Sequence, residues 1–212
     1  IQLTVAAMLI VVVVAIPAGI IAALRRGSWY DNLAMLVVLL GQSMPVFWLG
    51  IMLILMFSVR IKIFPSSGSG SGLAGIRYLV LPAITLGLFS TARLARLARA
   101  GMLDILSRDY IRTARSKGLR ERTVVLRHAL KNSLLPVITL LGLEIGTLLG
   151  GAVITETVFA WPGMGRLVVT AIYQRDYPVV QTAVILIALL FVLVNLAVDI
   201  AYTLIDPRIR YD

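Results

Sequence analysis

The sequence predicts an all-α integral membrane protein, a polytopic helical bundle, and three observations carry the prediction. Its 212 residues are 59% hydrophobic and only 14% charged, against about a quarter charged in a soluble domain, and the mean hydropathy is +0.96. Apolar runs long enough to cross a bilayer, roughly 20 residues, recur along the chain, and five spans are read. Between the third and fourth lies the longest strongly polar stretch, Asp109 to Pro136, DYIRTARSKGLRERTVVLRHALKNSLLP. The chain has no cysteine, which excludes disulfides, thiolate catalysis and cysteine-ligated metals. One His and ten carboxylates leave little material for a metal site.

The first span, about residues 1–24, is apolar apart from Gln2 and Thr4, carries Pro17 and Gly19, and is closed by Arg25 and Arg26. Ile1 is not an initiator Met and already lies in an apolar run, so the chain is expected to be cut from something longer. The second span, 33–59, is interrupted by Gly41-Gln42-Ser43-Met44-Pro45. Pro45 cannot donate to the carbonyl of Gly41, which predicts a kink. The SSGSGSG core of residues 60–76 has loop composition and reads as a flexible connector. The third span, 78–98, carries Arg93, Arg96 and then Arg99 at i, i+3 and i+6, along one side where the span leaves the bilayer; they read as snorkelling to headgroups. The fourth and fifth spans are 134–159 and 179–205.

Alternation puts fifteen of the 20 basic residues on the side of the long polar stretch, leaving Arg60, Lys62, Arg77, Arg166 and Arg175 on the other. Cytoplasmic loops carry the Lys/Arg excess, so that stretch is expected to face the cytoplasm. The formal charge of +10 would suggest nucleic acid in a soluble protein; beside membrane spans, orientation and anionic headgroups account for it. Within the stretch, residues 108–117 are predicted to form a short helix with Asp109 in its first turn and Arg115 and Lys117 in its last, as the macrodipole favours. Gly118 supplies a left-handed or bent position. A second helix from about Arg120 leads back towards the bilayer, with Pro136 in the first turn of the next span. Helix, glycine bend, helix is a compact projecting element.

At these residues the chain resembles a known family. Arg112-Thr113-Ala114, three residues, Gly118, nine residues, then His128-Ala129-Leu130-Lys131 resembles the EAA loop of ABC-importer permeases, whose pattern is Glu-Ala-Ala, three residues, Gly, nine residues, Ile-x-Leu-Pro. Ala114, Gly118 and Leu130 match, whereas Arg112, Thr113, His128 and Lys131 depart. Together with ALRRGSWYDN, YIRTARSKGL, LRHALKNSLLP, ETVFAWPGMGR, RDYPVVQ and LIDPRIRY, in this order, the chain resembles over essentially its whole length the first permease subunit of dipeptide, oligopeptide and nickel importers.

The resemblance implies a bundle of the type I ABC-importer permease kind. It implies a multi-pass protein of the bacterial inner membrane, with the loop and C-terminus cytoplasmic, and an extra helix and extracytoplasmic segment ahead of the point where this chain begins. The implied function is the translocation pathway of an ATP-driven, binding-protein-dependent importer of short peptides or a related small solute such as a nickel chelate or glutathione. The implied partners are a second homologous permease, two cytoplasmic ATPases that bind ATP and Mg, and an extracytoplasmic substrate-binding protein. No cofactor is expected on this chain, and the residues agree: no Lys follows a Gly, so a P-loop is impossible.

The loop then acts as a lever in a groove of the ATPase, through Arg112, Thr113, Ala114, Arg115, Gly118, Leu119, Arg120, Glu121 and Arg122. Ala114 and Gly118 would allow close approach, and the four arginines would pair with acidic groups. A headgroup-binding loop without a protein partner is the plainer alternative. Gly142, Gly146 and Gly150 make one smooth face of the fourth span, for packing within the chain or against a second permease. Glu144, on roughly the opposite face, is a pathway candidate or a structural ion pair. Gln42 and Ser43 beside Pro45, and Asn195 and Asp199 one turn apart, either line the pathway or hydrogen-bond between helices. Between the last two spans, residues 156–178 read as a turn followed by a short surface helix. By resemblance this segment docks the binding protein and closes the outer gate, through Glu156, Trp161, Pro162, Gly163, Asp176 and Tyr177; alternatively Trp161 and Tyr173 merely anchor the interface. Two rival classes are a channel or ion-coupled secondary transporter using Glu144 and Asp199, and a membrane hydrolase using His128.

Overall fold

The computed structural model describes the backbone of residues 1–205, and their side chains except at positions 73, 149, 151, 199 and 201–205. Asp199, Arg208, Arg210 and most of LIDPRIRY therefore lie outside the described residues or side chains. The described secondary structure is helical throughout: α1 (Gln2–Leu24), α2 (Trp29–Ser43), α3 (Val46–Arg60), α4 (Gly72–Leu106), α5 (Asp109–Ser116), α6 (Glu121–Ser133), α7 (Leu135–Val158), α8 (Met164–Gln174) and α9 (Tyr177–Ile205). The second half of α3, Ile54–Arg60, and the middle of α6, Val124–Ala129, are π-helical. Three helices, α1, α4 and α9, are long and apolar enough to cross a membrane, and the number rises to five if the bent pairs α2–α3 and α6–α7 are each one span.

The region expected to be one kinked span, 33–59, is two helices. α2 ends at Ser43 and α3 starts at Val46. Proline explains both the stop and the restart. Its ring disfavours helical backbone at the preceding residue, Met44, and Pro45 itself stands extended as the N-cap of α3, φ −59° and ψ 135°. α4 is longer than the expected 78–98: it begins at Gly72, takes Pro82 into its interior and continues through Arg99 to Leu106. The connector before it is pinned, not freely flexible. The Gly68 amide donates to the Phe159 carbonyl at 3.0 Å, and the Arg77 guanidinium donates to the Ile63 carbonyl at 3.3 Å.

The chain forms two compact units. One comprises residues 10–43 and 89–141. Its interior is an apolar cluster of Val11 and Ala15 from α1, Val38 from α2, Ala92, Leu94, Ala95 and Ala98 from α4, and Val137 from α7. The alanines let backbones approach closely, as small residues do in helix contacts. Gly19 takes this to its limit, since a Cβ there would lie 2.5 Å from the Ala95 carbonyl oxygen and 2.7 Å from the Ala98 Cβ. The other unit comprises residues 1–9, 44–88 and, among the described residues, 142–205. Within it Gly50 of α3 fits against Thr85, Val158 and Phe159, and α8 packs on α9.

Candidate functional site

The polar stretch folds as a helix, a bend and a second helix, held from beneath by apolar side chains. Arg108 caps α5 in extended conformation, and Asp109 stands in the first turn. α5 ends through Gly118, whose φ of +75° is accessible to glycine at little cost. The inner face of α5 contributes Ile111 and Ala114, which pack with Val124, Val125 and Ala129 of α6, Met102 of α4 and Ala23 of α1. Ala114 is only 8% exposed, which corrects the expectation that it lets an outside partner approach closely. Its small side chain serves the chain's own packing. Gly118 does stand clear, with nothing within 4 Å of where a Cβ would be.

The outer face of the loop carries Arg112, Thr113, Leu119, Arg120 and Arg122, all exposed. Arg115 is exposed too but already engaged: its guanidinium donates to both Glu121 carboxylate oxygens, at 2.6 and 3.1 Å. That fork ties α5 to α6 across the Gly118 bend, and its hydrogen bonds hold the Glu121 carboxyl below the usual carboxylate range. Arg115 is therefore a brace within the loop and not a free cation for a partner's acid. Arg112 has only a loose contact with Asp109, 3.7 Å between two exposed groups. Tyr110 completes the brace, since the Asn132 amide donates to its hydroxyl at 3.1 Å.

In the other unit, the segment between α7 and α8 is built around Glu156, which is 7% exposed. Gly163 caps α8 but has no side chain with which to do so. The Glu156 carboxylate supplies the acceptor instead, taking the Arg166 amide at 3.0 Å, where a negative charge at a helix N-terminus is favoured. The Glu156 carbonyl also accepts the Trp161 amide at 2.9 Å. Trp161 is 7% exposed, so it is a packed residue of this turn and not an interface anchor; the exposed aromatics here are Tyr173 and Tyr177. Asp176 caps α9, accepting the Val179 amide at 3.2 Å.

Two arginines expected to snorkel from the third span do something else. Arg99 forks onto Asp31 at the start of α2, with both bonds 2.7 Å, and Asp31 is 3% exposed. The Gly27 amide donates to the same carboxylate at 3.0 Å. Arg96 donates to the Gln42 side-chain oxygen at the other end of α2. Asp31 escaped sequence reasoning; the available signal was a carboxylate in the first turn of α2, just after the turn at residues 25–28, in a chain with few acids.

Comparison with known proteins decides the class. Residues 15–211 match the family described as binding-protein-dependent transport system inner membrane component. The chain belongs to this family. The chain is 47% identical to a di/tripeptide transport system permease protein of Pseudomonas aeruginosa, over 99% of this chain and 70% of that protein. It is 43% identical to a dipeptide transport system permease protein of Escherichia coli K12, with the same coverage, and 46% identical to that organism's glutathione transport system permease protein, over 99% and 67%. Among solved structures, an inward-facing form of the MetNI methionine ABC transporter shares its fold, with a TM-score of 0.77 at 18% identity over 97% of this chain and 92% of that one.

The permease's sequence-predicted polar residues differ in exposure. Gln42 and Ser43 stand at the end of α2 beside the break, Gln42 half-buried and bonded to Arg96, Ser43 exposed and bonded to the Leu39 carbonyl at 2.9 Å. Glu144 is 1% exposed within α7. Asn195 is half-buried on α9. The glycine face of α7 divides: Gly146 lies so close to the Phe191 ring of α9 that a Cβ would overlap it, whereas Gly150 faces open space and Gly142 is buried. Gly146 thus packs within the chain. Among the described residues no three His, Asp or Glu stand close enough to hold a metal ion.

Proposed function

We propose that this permease forms half of the translocation pathway of an ATP-driven importer of short peptides, with di- and tripeptides or glutathione as substrates. The names of relatives at 43–47% identity support the substrate class. The observation that carries the mechanism is the two-faced loop of 109–133. Its apolar face is buried against α1 and α4, and its outer face presents Arg112, Arg120, Arg122 and Leu119 around the Gly118 bend. A loop that merely joined two spans would not need a core of its own.

On this reading the loop faces the cytoplasm and seats in a groove of an ATPase subunit, where ATP and Mg are bound. A second, homologous permease completes the pathway, and a loaded binding protein docks outside at residues 156–178. Closure of two ATPases moves the loop, and the spans rearrange between inward- and outward-open states. Among the pathway candidates, Gln42, Ser43 and Asn195 are the described polar side chains left at least partly exposed for substrate to meet, while Glu144 is buried; Asp199 is proposed from sequence alone.

The test is purification from native membranes in mild detergent, comparing the unmodified permease with Gly118→Trp. The expected result is a P-loop ATPase that accompanies the unmodified chain and is lost or uncoupled in the variant. An intact assembly lacking any ATPase in both forms refutes the lever and returns the chain to the class of autonomous transporters.

A further inference from the structure

Asp31 and Arg99 form a far more desolvated ion pair than Arg108 with Asp104 or Arg115 with Glu121. Asp31 has 4% of its side chain exposed and Arg99 27%, whereas the pairs Arg108–Asp104 and Arg115–Glu121 are between 42% and 58% exposed. A pair this buried is a poor way to gain stability, because desolvation offsets most of the attraction. Its geometry shows what it does: it fixes the first turn of α2 to α4 by two parallel bonds, and the Gly27 amide adds the α1–α2 turn to the same carboxylate. Three residues earlier on α4, Arg96 holds Gln42 in the last turn of α2. Both ends of α2 are thus tied to neighbouring arginines of one helix. That stretch of α4 leads to Met102, Leu103, Ile105 and Leu106, which pack under the coupling loop, and Gly101 abuts the Ser133 carbonyl at the end of α6.

We infer that Asp31 and Arg99 are positioning residues that make α2 move with the coupling loop, so that closure of the ATPases is delivered to Gln42 and Ser43 at the broken end of α2. The inference rests on the proposed ATP coupling and adds the route inside this chain. Directionality comes from the guanidinium fork: two parallel bonds to a carboxylate resist rotation as well as separation, whereas an ammonium makes a single pivot. Arg99→Lys therefore keeps the charge and loses the stiffness. The double variant Asp31→Asn/Arg99→Gln removes both charges while keeping polar groups of similar size, which avoids the orphaned buried charge of either single change.

The experiment reconstitutes the whole importer, with its ATPases and binding protein, in vesicles and measures peptide taken up per ATP hydrolysed, alongside the amount and thermal midpoint of the assembled complex. Uptake per ATP is expected to fall about tenfold in the double variant and about threefold in Arg99→Lys, within the usual range of coupling between sites, while the assembled amount is unchanged. A merely structural pair would lower assembly and midpoint and leave the ratio alone, and that result overturns the inference; so does a ratio unchanged in both variants. If the double variant fails to assemble, Arg99→Lys decides by the same ratio. Uptake by the unmodified complex that ignores ATP would instead refute the proposed function itself, so the two failures are distinguishable.

Discussion

Gly163 and Gly19 show most directly how little slack individual residues have. A Cβ at Gly163 would overlap the Glu156 carboxylate that caps α8. Gly163→Ala is therefore expected to displace that carboxylate, and, on the proposed docking role of this segment, binding-protein-stimulated ATP hydrolysis measured on the assembled importer should drop severalfold while basal hydrolysis persists, as expected when a helix cap worth about 1 kcal/mol is broken there. At Gly19 the obstacle is backbone, the Ala95 carbonyl oxygen and the Arg99 nitrogen, which cannot rotate away. Gly19→Ala should cost about 1–3 kcal/mol by overpacking, read as a lower thermal midpoint of the purified protein. The Arg115–Glu121 brace is the contrasting case. Both side chains are roughly half exposed, so Glu121→Gln should change stability by no more than about 1 kcal/mol.

Helices were the most legible level. Hydropathy and charge located α1, α5, α7 and α9 within a few residues, because a run of apolar side chains that must avoid water is a local property of the sequence. Pro45 announced a disruption, but not its size: one proline missing one N–H is compatible with a mild kink or a full break, and the end of α2 at Ser43 and start of α3 at Val46 show a full break. The glycine face of α7 was legible as a packing surface, yet its partner was not. Gly146 meets Phe191 of α9, and among the described residues nothing lies within 4 Å of where a Gly150 Cβ would be. This gives a paired prediction. Gly146→Leu should destabilise the isolated chain, with partial recovery on Phe191→Ala, whereas Gly150→Leu should leave the isolated chain unaffected and reduce co-purification of a second permease.

For the whole molecule, orientation is the property open to a direct check. The absence of cysteine makes single-cysteine labelling clean. Ser69→Cys, in the connector before α4, should react in intact cells with a membrane-impermeant maleimide. Ser116→Cys, at the end of α5, should react only after the membrane is opened. The reverse pattern would overturn the proposed orientation. Large apolar side chains are exposed along α9, among them Ile185, Leu189, Val192 and Leu196, as befits a helix whose solvent is lipid or another subunit.

By itself the amino-acid sequence determined that this is a helical membrane protein and where its longest polar loop lies. Composition and charge distribution are sums over residues and need no contacts. Only the tertiary structure decided that Ala114 faces inward, that Arg115 braces its own loop, that Trp161 is packed, and that Arg99 has a buried partner 68 positions away in Asp31. The physical reason is the same in each case. A long charged side chain or a small apolar one is compatible with lipid, water or protein, and which of them it meets is settled by the backbone that folding brings beside it.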